Sequence, residues 1–585
     1  MKKNKFFIII SIVVILLLLT LLIYLKFFKD EKLSVTDIDN TVHIDNSNID
    51  WDTYSSYEVN DSENGLYITE KGIYTLTGEI NGQIVINTSG NVKLILDNVT
   101  IKSSNGPCIL VKEADNVVIS TVNGTINTLE DSSNYTNFEE EDGCIFSHDD
   151  LILDGSGTLK IIANYQDGIV SKDDLRIDSG TYIISSVDDA IRGKDSVYIV
   201  DGDFTINSSG DGIKSSNETE TDKGSIVIDS GNFNIVSELD GIQAVNKVII
   251  NGGTFDITTG GGNSNVSTSN NWGQWGNNKS NVESISAKGI KAGSNILINS
   301  GEFNFNTSDD SIHSNNYVGI SNGNIIISSG DDGIHADMSL VIDDGIIDIK
   351  KSYEGLEGSS IVINNGNISV IASDDGFNAA GGNDSSSMNR QGANNFKSSS
   401  NNHLTINDGE IYVNSTGDGL DANGSIYING GNIVVDGPTN NGNGALDYDG
   451  ELKITGGSLL AIGSSGMAQG ISSSSTQYGV LINFSSNYQS CTKIIIKDSS
   501  GEVILENAST KSFSSITFSS NKLKNGEKYT VNINGEDYTT FTISSINTTV
   551  GNSSGMGRQG NQMMDDNRGD MNNQRNGQRP NGGRR

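Results

Sequence analysis

The sequence predicts an all-β protein: a right-handed parallel β-helix, a solenoid with about 22 residues per coil, followed by a small C-terminal β domain. Two markers recur together between about Gly143 and Gly457. One is an acidic residue followed by a small residue, usually Gly, and then an apolar residue; the other is an Asn/Asp-x-Gly turn. Where the first series steps by 29 or 48 residues instead of 22, the second does too. The extra residues are therefore insertions into an unbroken stack.

The acidic members of the first marker stand at equivalent positions of successive units and form what we call the acid row: Asp167, Asp189, Asp211, Asp240, Asp310, Asp332, Glu354, Asp375 and Asp418. The turn glycines of the second marker are Gly180, Gly202, Gly231, Gly253, Gly301, Gly323, Gly345, Gly366, Gly409 and Gly431. The apolar residues predict one continuous interior ladder: Ile169, Ile191, Ile213, Ile242, Ile290, Ile312, Ile334, Leu356, Phe377, Leu420 and Leu446.

Each unit carries three short apolar runs that read as strands. In one unit they are 334–336 after the acidic step, 340–342 before the turn and 346–349 after it. Three strands per turn of chain make a parallel β-helix, and crossover connections of this kind are almost always right-handed. About 15 coils stacked at about 4.8 Å would form a rod about 70 Å long.

The N-terminus predicts a membrane anchor over residues 1–29. Lys2, Lys3 and Lys5 precede an apolar run from Phe6 to Leu25, which is long enough to span a bilayer. The positive flank stays inside, so we expect the body outside the cell, held at the cell membrane by one N-terminal helix. A cleaved signal peptide is the alternative.

The rest of the chain divides by composition. Residues 30–60 are a polar linker, 61–470 the β-helix, 471–548 a small β domain that caps it, and 549–585 a Gly/Asn/Arg-rich tail that we expect to be disordered. Three insertions enlarge connections of the stack. Those at 215–223 and 381–402 follow the first strand of a unit, whereas 260–282 precedes it.

Composition restricts the partners. With 73 acidic and 38 basic residues the formal charge is -35, which excludes nucleic acid and favours cations. Three cysteines make no disulfide framework; we expect Cys108, Cys144 and Cys491 to be small core residues. The five histidines show no zinc-type ligand spacing.

Stacking the units places carboxylates about 5 Å apart, where two charges repel by roughly 3 kcal/mol at an effective dielectric of 20. Calcium suits such a row because it accepts six to eight oxygen ligands in flexible geometry. The predicted calcium ligands are Asp188, Asp189, Asp211, Asp309, Asp310, Asp331, Asp332, Asp374, Asp375 and Asp418. The alternative is that these residues only shape tight turns before glycine.

The residue after each interior apolar residue should point outward, because side chains alternate along a strand. These residues form what we call the flanking row: Arg192, Lys214, Gln243, Lys291, His313, His335, Glu357, Asn378, Asp421 and Asp447. Its cationic members predict a groove for an anionic polymer such as polygalacturonate. The predicted carbohydrate-binding residues are Arg192, Lys214, Lys291, His313 and His335, with Trp272 and Trp275 from the insertion stacking on sugar rings. Alternatively, the cations pair with the acid row and the tryptophans fold back onto the surface.

Several segments resemble the bacterial extracellular carbohydrate-binding β-helix proteins of cellulose- and pectin-degrading clostridia. They are LILDNV (94–99), GPCI (106–109), DGIVSKDDL (167–175), IRGKD (191–195) and GSSGMAQ (463–469). The resemblance covers roughly residues 60–545. It implies a right-handed parallel β-helix like that of polysaccharide lyases, bound calcium, and binding of acidic or cellulosic polysaccharide without catalysis. The anchor, the Trp-bearing insertion and the Arg-rich tail depart from that family.

These observations lead to one expected function and two alternatives. We expect a non-catalytic, calcium-dependent carbohydrate-binding protein at the cell surface. The first alternative is a calcium-dependent polysaccharide lyase acting on uronates, with Arg192, Lys214 or Lys291 as its base. The second is a structural stalk or adhesin.

Overall fold

The computed structural model describes residues 49–138, 140–264, 286–380 and 402–551. Within these ranges the protein is all-β, and the one helical segment is a 3-10 turn at Trp51–Thr53. Accordingly, none of the described residues belongs to a helix that could cross a membrane. The predicted anchor at 1–29, Trp272 and Trp275, and the tail from residue 552 onward lie outside the described residues.

Most strands belong to one large sheet of 45 strands whose pairing is mostly parallel. Strands from successive units pair with each other, so the sheet consists of three strand columns, each contributed by one strand of every unit. A parallel sheet needs a crossover between paired strands, and here the other two strands of the unit provide it. The columns therefore follow directly from the 22-residue repeat.

The strand bounds, column by column, are as follows. The first column contains β2 (Leu66–Ile68), β4 (Ile84–Asn87), β6 (Ile109–Glu113), β9 (Gly143–Ser147), β12 (Asp167–Ser171), β15 (Ile191–Gly193), β18 (Ile213–Ser215), β21 (Ile242–Ala244), β24 (Ile290–Ala292), β27 (Ile312–Ser314), β34 (Phe377–Ala379), β37 (Leu420–Ala422) and β40 (Leu446–Tyr448). The second contains β1 (Ser56–Ser62), β7 (Val117–Thr121), β10 (Leu151–Gly155), β13 (Asp174–Ile177), β16 (Ser196–Ile199), β19 (Ser225–Ile228), β22 (Lys247–Ile250), β25 (Asn295–Ile298), β28 (Tyr317–Ile320), β35 (His403–Ile406), β38 (Ser425–Ile428) and β41 (Leu452–Ile454). The third contains β8 (Ile126–Glu130), β11 (Thr158–Ala163), β14 (Thr181–Ser186), β17 (Asp203–Ser208), β20 (Asn232–Ser237), β23 (Thr254–Thr259), β26 (Glu302–Thr307), β29 (Asn324–Ser329), β31 (Ile346–Ser352), β33 (Asn367–Ala372), β36 (Glu410–Ser415), β39 (Asn432–Asp436) and β42 (Ser458–Gly463).

Four longer strands each run through two columns. They are β3 (Gly72–Asn81) and β5 (Val92–Lys102), in the second and third columns, and β30 (Ile334–Ile342) and β32 (Leu356–Ile363), in the first and second. The sequence predicts two separate strands at 334–336 and 340–342. They are one strand here, because the chain between them stays extended instead of turning.

The predicted interior ladder is confirmed. Its residues pair in register from Ile169↔Ile191 through to Leu420↔Leu446, and each of them is 2% exposed or less. Together with inward residues of the other two columns they form one apolar core along the stack. Burial of this continuous core is the main source of stability.

Like side chains also stack directly on one another. In the third column the rings of Tyr182, Phe204, Phe233, Phe255 and Phe303 are stacked with centroids 4.6–5.0 Å apart. On the turn edge the amide of Asn407 donates to Asn364 at 2.8 Å and that of Asn429 donates to Asn407 at 2.9 Å. Register is therefore maintained both inside the core and at the surface.

The turn glycines adopt a backbone conformation that other residues avoid. All ten have φ between +81° and +151°. At Gly253, φ is +112°, and a Cβ would lie 2.9 Å from the carbonyl oxygen of Gly231 in the preceding unit. Glycine is required at these turns because of both the dihedral angle and the close approach of the next turn.

The insertions and two of the cysteines lie where the sequence predicts. The insertion at 215–223 joins β18 to β19, and those at 381–402 and 260–282 lie between β34 and β35 and between β23 and β24. Cys108 and Cys144 are fully buried in neighbouring units. Cys491 is a correction: it is exposed, at a turn with φ of +63°, and not a core residue.

Past β42 the pairing changes direction. The C-terminal strands are β43 (Gly479–Tyr488), β44 (Lys493–Asp498), β45 (Val503–Ala508), β46 (Phe513–Ser520), β47 (Lys528–Ile533), β48 (Glu536–Thr542) and β49 (Asn547–Val550). Strand β46 pairs antiparallel with both β42 and β43, while β45-β44-β47-β48 form a separate antiparallel sheet. Asn534 and Gly535 form the hairpin turn that joins β47 to β48, with φ of +51° and +91°. This part has its own apolar core.

Candidate cation and carbohydrate site

The acid row lies just before the first strand column, and its carboxylates connect consecutive units. Oδ1 of Asp167 accepts a hydrogen bond from the backbone N–H of Asp189 at 3.0 Å, and Oδ1 of Asp189 accepts one from the N–H of Asp211 at 2.8 Å. The same contact recurs from Asp211 to Asp240 and from Asp310 to Asp332. One oxygen of each carboxylate is thus used by the backbone, and the other remains for a cation.

The flanking row runs beside the acid row. Its members pair in register from Arg192↔Lys214 through to Asp421↔Asp447. Most of them lie three residues after an acid-row residue, on the first strand of the same unit, whereas Lys291 follows Lys288 and Asp447 follows Gly444. Where the flanking side chain is basic, it lies within 4 Å of the second oxygen of an acid, as at Asp167, Asp189, Asp211, Asp240, Asp310 and Asp332.

In the N-terminal units the flanking side chain is a cation. Arg192 contacts Oδ2 of Asp167 at 2.5 Å and Oδ2 of Asp142 at 2.6 Å. Nζ of Lys214 lies 2.8 Å from Oδ2 of Asp211 and 3.1 Å from Oδ2 of Asp189. These contacts agree with the alternative interpretation, in which the basic residues compensate the acid row.

In the middle units a lysine enters the acid row itself. Lys288 stands where the marker calls for an acidic residue, and it is buried. Its Nζ lies 2.9 Å from Oδ1 of Asp309 and 2.6 Å from Oδ2 of Asp310. Nδ1 of His313 also lies 2.8 Å from that Asp310 oxygen. Asp309 and Asp310, both predicted calcium ligands, therefore already have a protein cation.

Lys291 lies on the outer side of these units. Its Nζ is 3.3 Å from Oδ2 of Asp240, and its side chain is 29% exposed. Lys214 is 26% and Arg192 15% exposed, whereas His313 is 8% and His335 0% exposed. Only the lysines and the arginine therefore offer surface to a bound polymer.

In the C-terminal units the flanking row supplies no cation. Asn378 donates to Glu354 at 2.6 Å, and the next flanking residue is Asp421. Among the described residues, no Lys, Arg or His forms an ion pair with Asp375, Asp418 or Asp421. Burial, together with neighbouring carboxylates, raises the pKa of Asp375 to about 9 and of Asp418 to about 7, and raises that of Asp421 well above its usual range.

The pKa values of the N-terminal carboxylates are raised too, but there a basic side chain opposes the shift. Burial raises the pKa of Asp211 to about 6 and of Asp167 to about 8, although Lys214 and Arg192 oppose the respective shifts. The pKa of Lys214 is raised as well. Burial opposes its charged form, but the carboxylates of Asp211 and Asp189 outweigh that effect. Like charges therefore meet at both ends of the acid row, and the N-terminal end adds basic side chains that oppose their effect.

The doubled acids form oxygen-lined cradles. A Cβ on Gly417 would lie 2.3 Å from Oδ1 of Asp375 and 2.5 Å from Oδ1 of Asp374. A Cβ on Gly210 would likewise lie 2.3 Å from Oδ1 of Asp188. The glycine leaves room beside two carboxylate oxygens, and such a donor set fits calcium. Beside Gly417, no described basic side chain pairs with Asp375 or Asp418, although the oxygens of Asp374, Asp375 and Asp418 do not all lie within 4.8 Å of one another.

Further close groupings of possible ligands are present. Oxygens or ring nitrogens converge within 4.8 Å in Asp167/Asp188/Asp189, Asp309/Asp310/Asp331, Asp150/Asp173/Asp174, Asp310/His313/His335 and Asp332/His335/Glu357. The sequence pattern marks the first two. It misses the histidine groups, because their members are separated by 3 and by 22 residues, and only stacking brings them together.

Comparison with known proteins adds the family context. A model of the family described as carbohydrate-binding domain-containing protein matches residues 62–333 and 331–554. The carbohydrate-binding domain-containing protein of Acetivibrio thermocellus is 32% identical over 159 residues, which is 26% of this chain and 55% of that relative. The chain thus spans about half the length of the curated relative it matches. A solved polysaccharide lyase-like protein from C. thermocellum, a gadolinium derivative, is 32% identical with a TM-score of 0.34, over 37% of this chain and 86% of that chain.

Proposed function

The chain belongs to the family of carbohydrate-binding domain-containing proteins, whose model matches it from residue 62 to residue 554, and we propose that it binds acidic or cellulosic polysaccharide in a calcium-dependent manner, without catalysis, at the cell surface. The family match is the observation that carries this proposal. Polygalacturonate represents the acidic class, since its repeating carboxylates complement both lysines and calcium.

The sugar-binding face lies along the N-terminal part of the flanking row. Lys214, Lys291 and Arg192 keep part of their side chains exposed while contacting the acid row. A polymer carboxylate would approach them from the solvent side and share each cation with a buried aspartate. Trp272 and Trp275, which are outside the described residues, would add stacking on sugar rings.

Calcium belongs at the C-terminal end of the acid row. Asp374, Asp375 and Asp418 would hold it through carboxylate oxygens, beside the space that Gly417 leaves. The ion would offset the burial and the repulsion that together raise the pKa of Asp375 and Asp418. It would also supply positive charge to a polymer carboxylate where the flanking row has none.

The fold that we propose for this face is a right-handed parallel β-helix. It is supported by in-register parallel pairing between successive units and by three strand columns. A closed coil would turn the flanking row into a straight strip along one edge of a rod. Small-angle X-ray scattering should give a rod about 70 Å long for about 15 coils at about 4.8 Å; a flat open sheet would give a different cross-section.

Two contacts favour binding over a lyase reaction. A lyase base must be unprotonated to remove a proton from the uronate. The carboxylates of Asp211 and Asp189 raise the pKa of Lys214, and those of Asp167 and Asp142 raise that of Arg192, in both cases against the effect of burial. Both groups are therefore held charged, which suits recognition of an anion and not proton abstraction.

Attachment to the cell membrane is the remaining element of the proposal. The apolar run from Phe6 to Leu25 would hold the chain with its body outside. Fractionation tests this: the chain should sediment with membranes and resist a carbonate wash, and deletion of residues 1–29 should release it.

The function is tested by retention of the full chain, in detergent, on immobilised polygalacturonate and on cellulose. We expect retention with calcium, loss with EDTA, and recovery when calcium is restored. Asp375→Asn should reduce the calcium requirement or the binding, whereas Asp344→Asn removes an exposed acid on the turn edge and should change neither. Binding that ignores EDTA would refute the calcium part, and no binding to any acidic or cellulosic glycan would refute the function.

A further inference from the structure

His335 occupies an unusual position in the flanking row. Its side chain is 0% exposed, and carboxylates approach both ring nitrogens. Nε2 lies 3.0 Å from Oδ1 of Asp337. Nδ1 lies 2.7 Å from Oε2 of Glu357 and 3.5 Å from Oδ2 of Asp332. One imidazole therefore faces three carboxylates.

The contact with Asp337 determines which nitrogen is free. An ionised carboxylate only accepts hydrogen bonds, so Nε2 carries the proton and donates it to Asp337. In the neutral ring Nδ1 then presents a lone pair toward Asp332 and Glu357. Although Nδ1 of His335 and Oε2 of Glu357 are 2.7 Å apart, neither has a hydrogen-bond partner of acceptable geometry.

This arrangement is costly as it stands. His335 is 0% and Glu357 5% exposed, so bulk solvent does not reach either atom. Asp332 does not supply a donor either. Its Oδ1 accepts the backbone N–H of Glu354 at 3.0 Å, and its Oδ2, when ionised, is a further acceptor. Buried acceptors that face one another without a donor require a positive charge between them.

Other units show what normally stands there. In the unit of Asp211 the flanking residue is Lys214, whose Nζ lies 2.8 Å from Oδ2 of that acid. The flanking residue in the unit of Asp240 is Gln243, and Lys291 of the next unit reaches Oδ2 of Asp240 instead, at 3.3 Å. In the unit of Asp332 the flanking residue brings a ring nitrogen instead. The protein provides a cation at the first two positions and a ligand for one at the third.

We propose that Nδ1 of His335, Oδ2 of Asp332 and Oε2 of Glu357 bind one divalent cation of the zinc class. Their ligand atoms lie within 4.8 Å of one another. The 3.5 Å between Nδ1 and Oδ2 is close to the ~3.4 Å edge of a tetrahedron with metal–ligand bonds of about 2.1 Å. Oε2 of Glu357, at 2.7 Å from Nδ1, would have to move outward to reach that spacing. Imidazole nitrogen suits zinc and its neighbours, whereas calcium selects oxygen.

Asp337 completes the arrangement. Histidines that bind metals almost always donate their other ring N–H to a carboxylate or carbonyl, which orients the ring and makes the ligand more basic. The 3.0 Å contact from Nε2 to Asp337 is such a contact. This role explains why Asp337 lies against Nε2, the ring nitrogen that faces away from the proposed metal site.

The neighbouring group Asp310/His313/His335 is a weaker candidate. Nζ of Lys288 already lies 2.6 Å from Oδ2 of Asp310, so a protein cation serves that oxygen. Nε2 of His313 contacts Oδ1 of Asn315 at 3.1 Å rather than a carboxylate. The rings of His313 and His335 are stacked 4.7 Å apart, which makes His313 a suitable control position.

The site does not depend on the proposed carbohydrate binding. It is buried and has no surface for a polymer. Asp332 and His335 belong to one unit and Glu357 to the next, so a bound ion would join two units from within. Its role would be structural.

The test uses the full chain in detergent, stripped with a chelator and dialysed. Zinc chloride is titrated against a chromogenic chelator in a large excess of calcium chloride, which occupies the all-oxygen sites. We expect one tightly bound zinc per chain, and X-ray absorption of that zinc should show a histidine nitrogen among its ligands. Absence of bound zinc would overturn the proposal, since a proton would then satisfy Nδ1; an all-oxygen ligand set would also overturn it.

Variants locate the ion. His335→Gln should abolish zinc binding, and Asp337→Asn should weaken it about 10–100-fold. His313→Gln is the matched control and should keep the zinc. Unchanged zinc binding by His335→Gln would overturn the proposal, as would loss in His313→Gln alone. If His335→Gln does not fold, as judged by circular dichroism, the ligand set seen by X-ray absorption in the unaltered chain decides.

Discussion

Oδ1 of Asp189 accepts a hydrogen bond from the backbone N–H of Asp211, 2.8 Å away in the next unit. The other oxygen of Asp189 lies 3.1 Å from Nζ of Lys214. One carboxylate thus joins two units through the backbone and also binds a cation. Both roles follow from its position at the start of the first strand column, where the next unit lies directly beside it.

Loss of the Asp189 side chain should destabilise the protein because the N–H of Asp211 would be left buried without an acceptor. Asp189→Ala should lower the free energy of unfolding by about 1–3 kcal/mol. Asp189→Asn keeps an oxygen acceptor and should cost less. Urea denaturation measures both. Asp256→Ala, at an exposed acid, should change the free energy of unfolding by about 0.5 kcal/mol or less. Equal losses in Asp189→Ala and Asp189→Asn would contradict the role of Asp189 as a backbone acceptor.

The C-terminal end of the acid row should respond to pH when calcium is absent. The pKa of Asp375 is about 9 in the folded chain, against about 3.9 when unfolded. The folded state therefore binds more protons across that window, and this contribution to stability is lost as pH rises through it. Asn mimics the protonated side chain, so Asp375→Asn should match the unaltered protein near pH 4 and exceed it near pH 9.

Thermal unfolding of both proteins in EDTA, at a series of pH values, gives this difference. Using the difference removes the contributions of carboxylates with lowered pKa, such as Asp310, whose burial is outweighed by Lys288. Calcium should reverse the order at high pH by stabilising the ionised Asp375. A variant that loses stability relative to the unaltered chain as pH rises in EDTA would contradict the assignment.

The interior ladder should be intolerant of truncation. Ile312 is 0% exposed, and Ile312→Ala should cost about 2–5 kcal/mol through lost burial and the cavity it leaves. Ile126 is 66% exposed, so Ile126→Ala should change stability by about 0.5 kcal/mol or less. Denaturant unfolding compares the two. Similar losses would mean that the ladder does not carry the stability we assign to it.

Two adjacent glycines offer a matched test of the turn. Gly253 has φ of +112° and a Cβ there would lie 2.9 Å from the oxygen of Gly231; Gly253→Ala should cost about 1–3 kcal/mol. At Gly252 the backbone is ordinary and the nearest atom is 3.2 Å away, so Gly252→Ala should cost less. The melting temperatures of the two variants give the order, and a larger loss at Gly252 would refute the argument.

The sequence predicts well which residues stack on one another, but it predicts poorly which side chains pair through hydrogen bonds and ion pairs. The interior ladder and the flanking row follow from the 22-residue period, because in-register strands place equivalent residues beside each other. The period shows that Lys288 replaces an acid. It does not reveal that backbone N–H groups take one oxygen of the aspartates, or that Lys288 pairs with Asp309 and Asp310. Those contacts depend on side-chain rotamers.

The group Asp332/His335/Glu357 is another arrangement that the sequence does not predict. Zinc-type spacing within one segment is absent, yet Glu357 reaches His335 because the two residues pair on neighbouring strands. The repeat also could not predict that Cys491 is exposed, because this residue lies in a turn outside the three strand columns. Contacts between equivalent residues of successive units follow from the repeat in the sequence. Contacts between different side chains depend on the three-dimensional structure.

Strand β46 lies antiparallel against β42, the last strand of the third column. Without it, β42 would expose an unpaired edge in the same register that every earlier unit uses to receive the next one. A second molecule could then dock its own first unit there, end to end. We therefore expect a chain truncated before β43 to polymerise into filaments visible by electron microscopy, and the full chain not to do so through this edge.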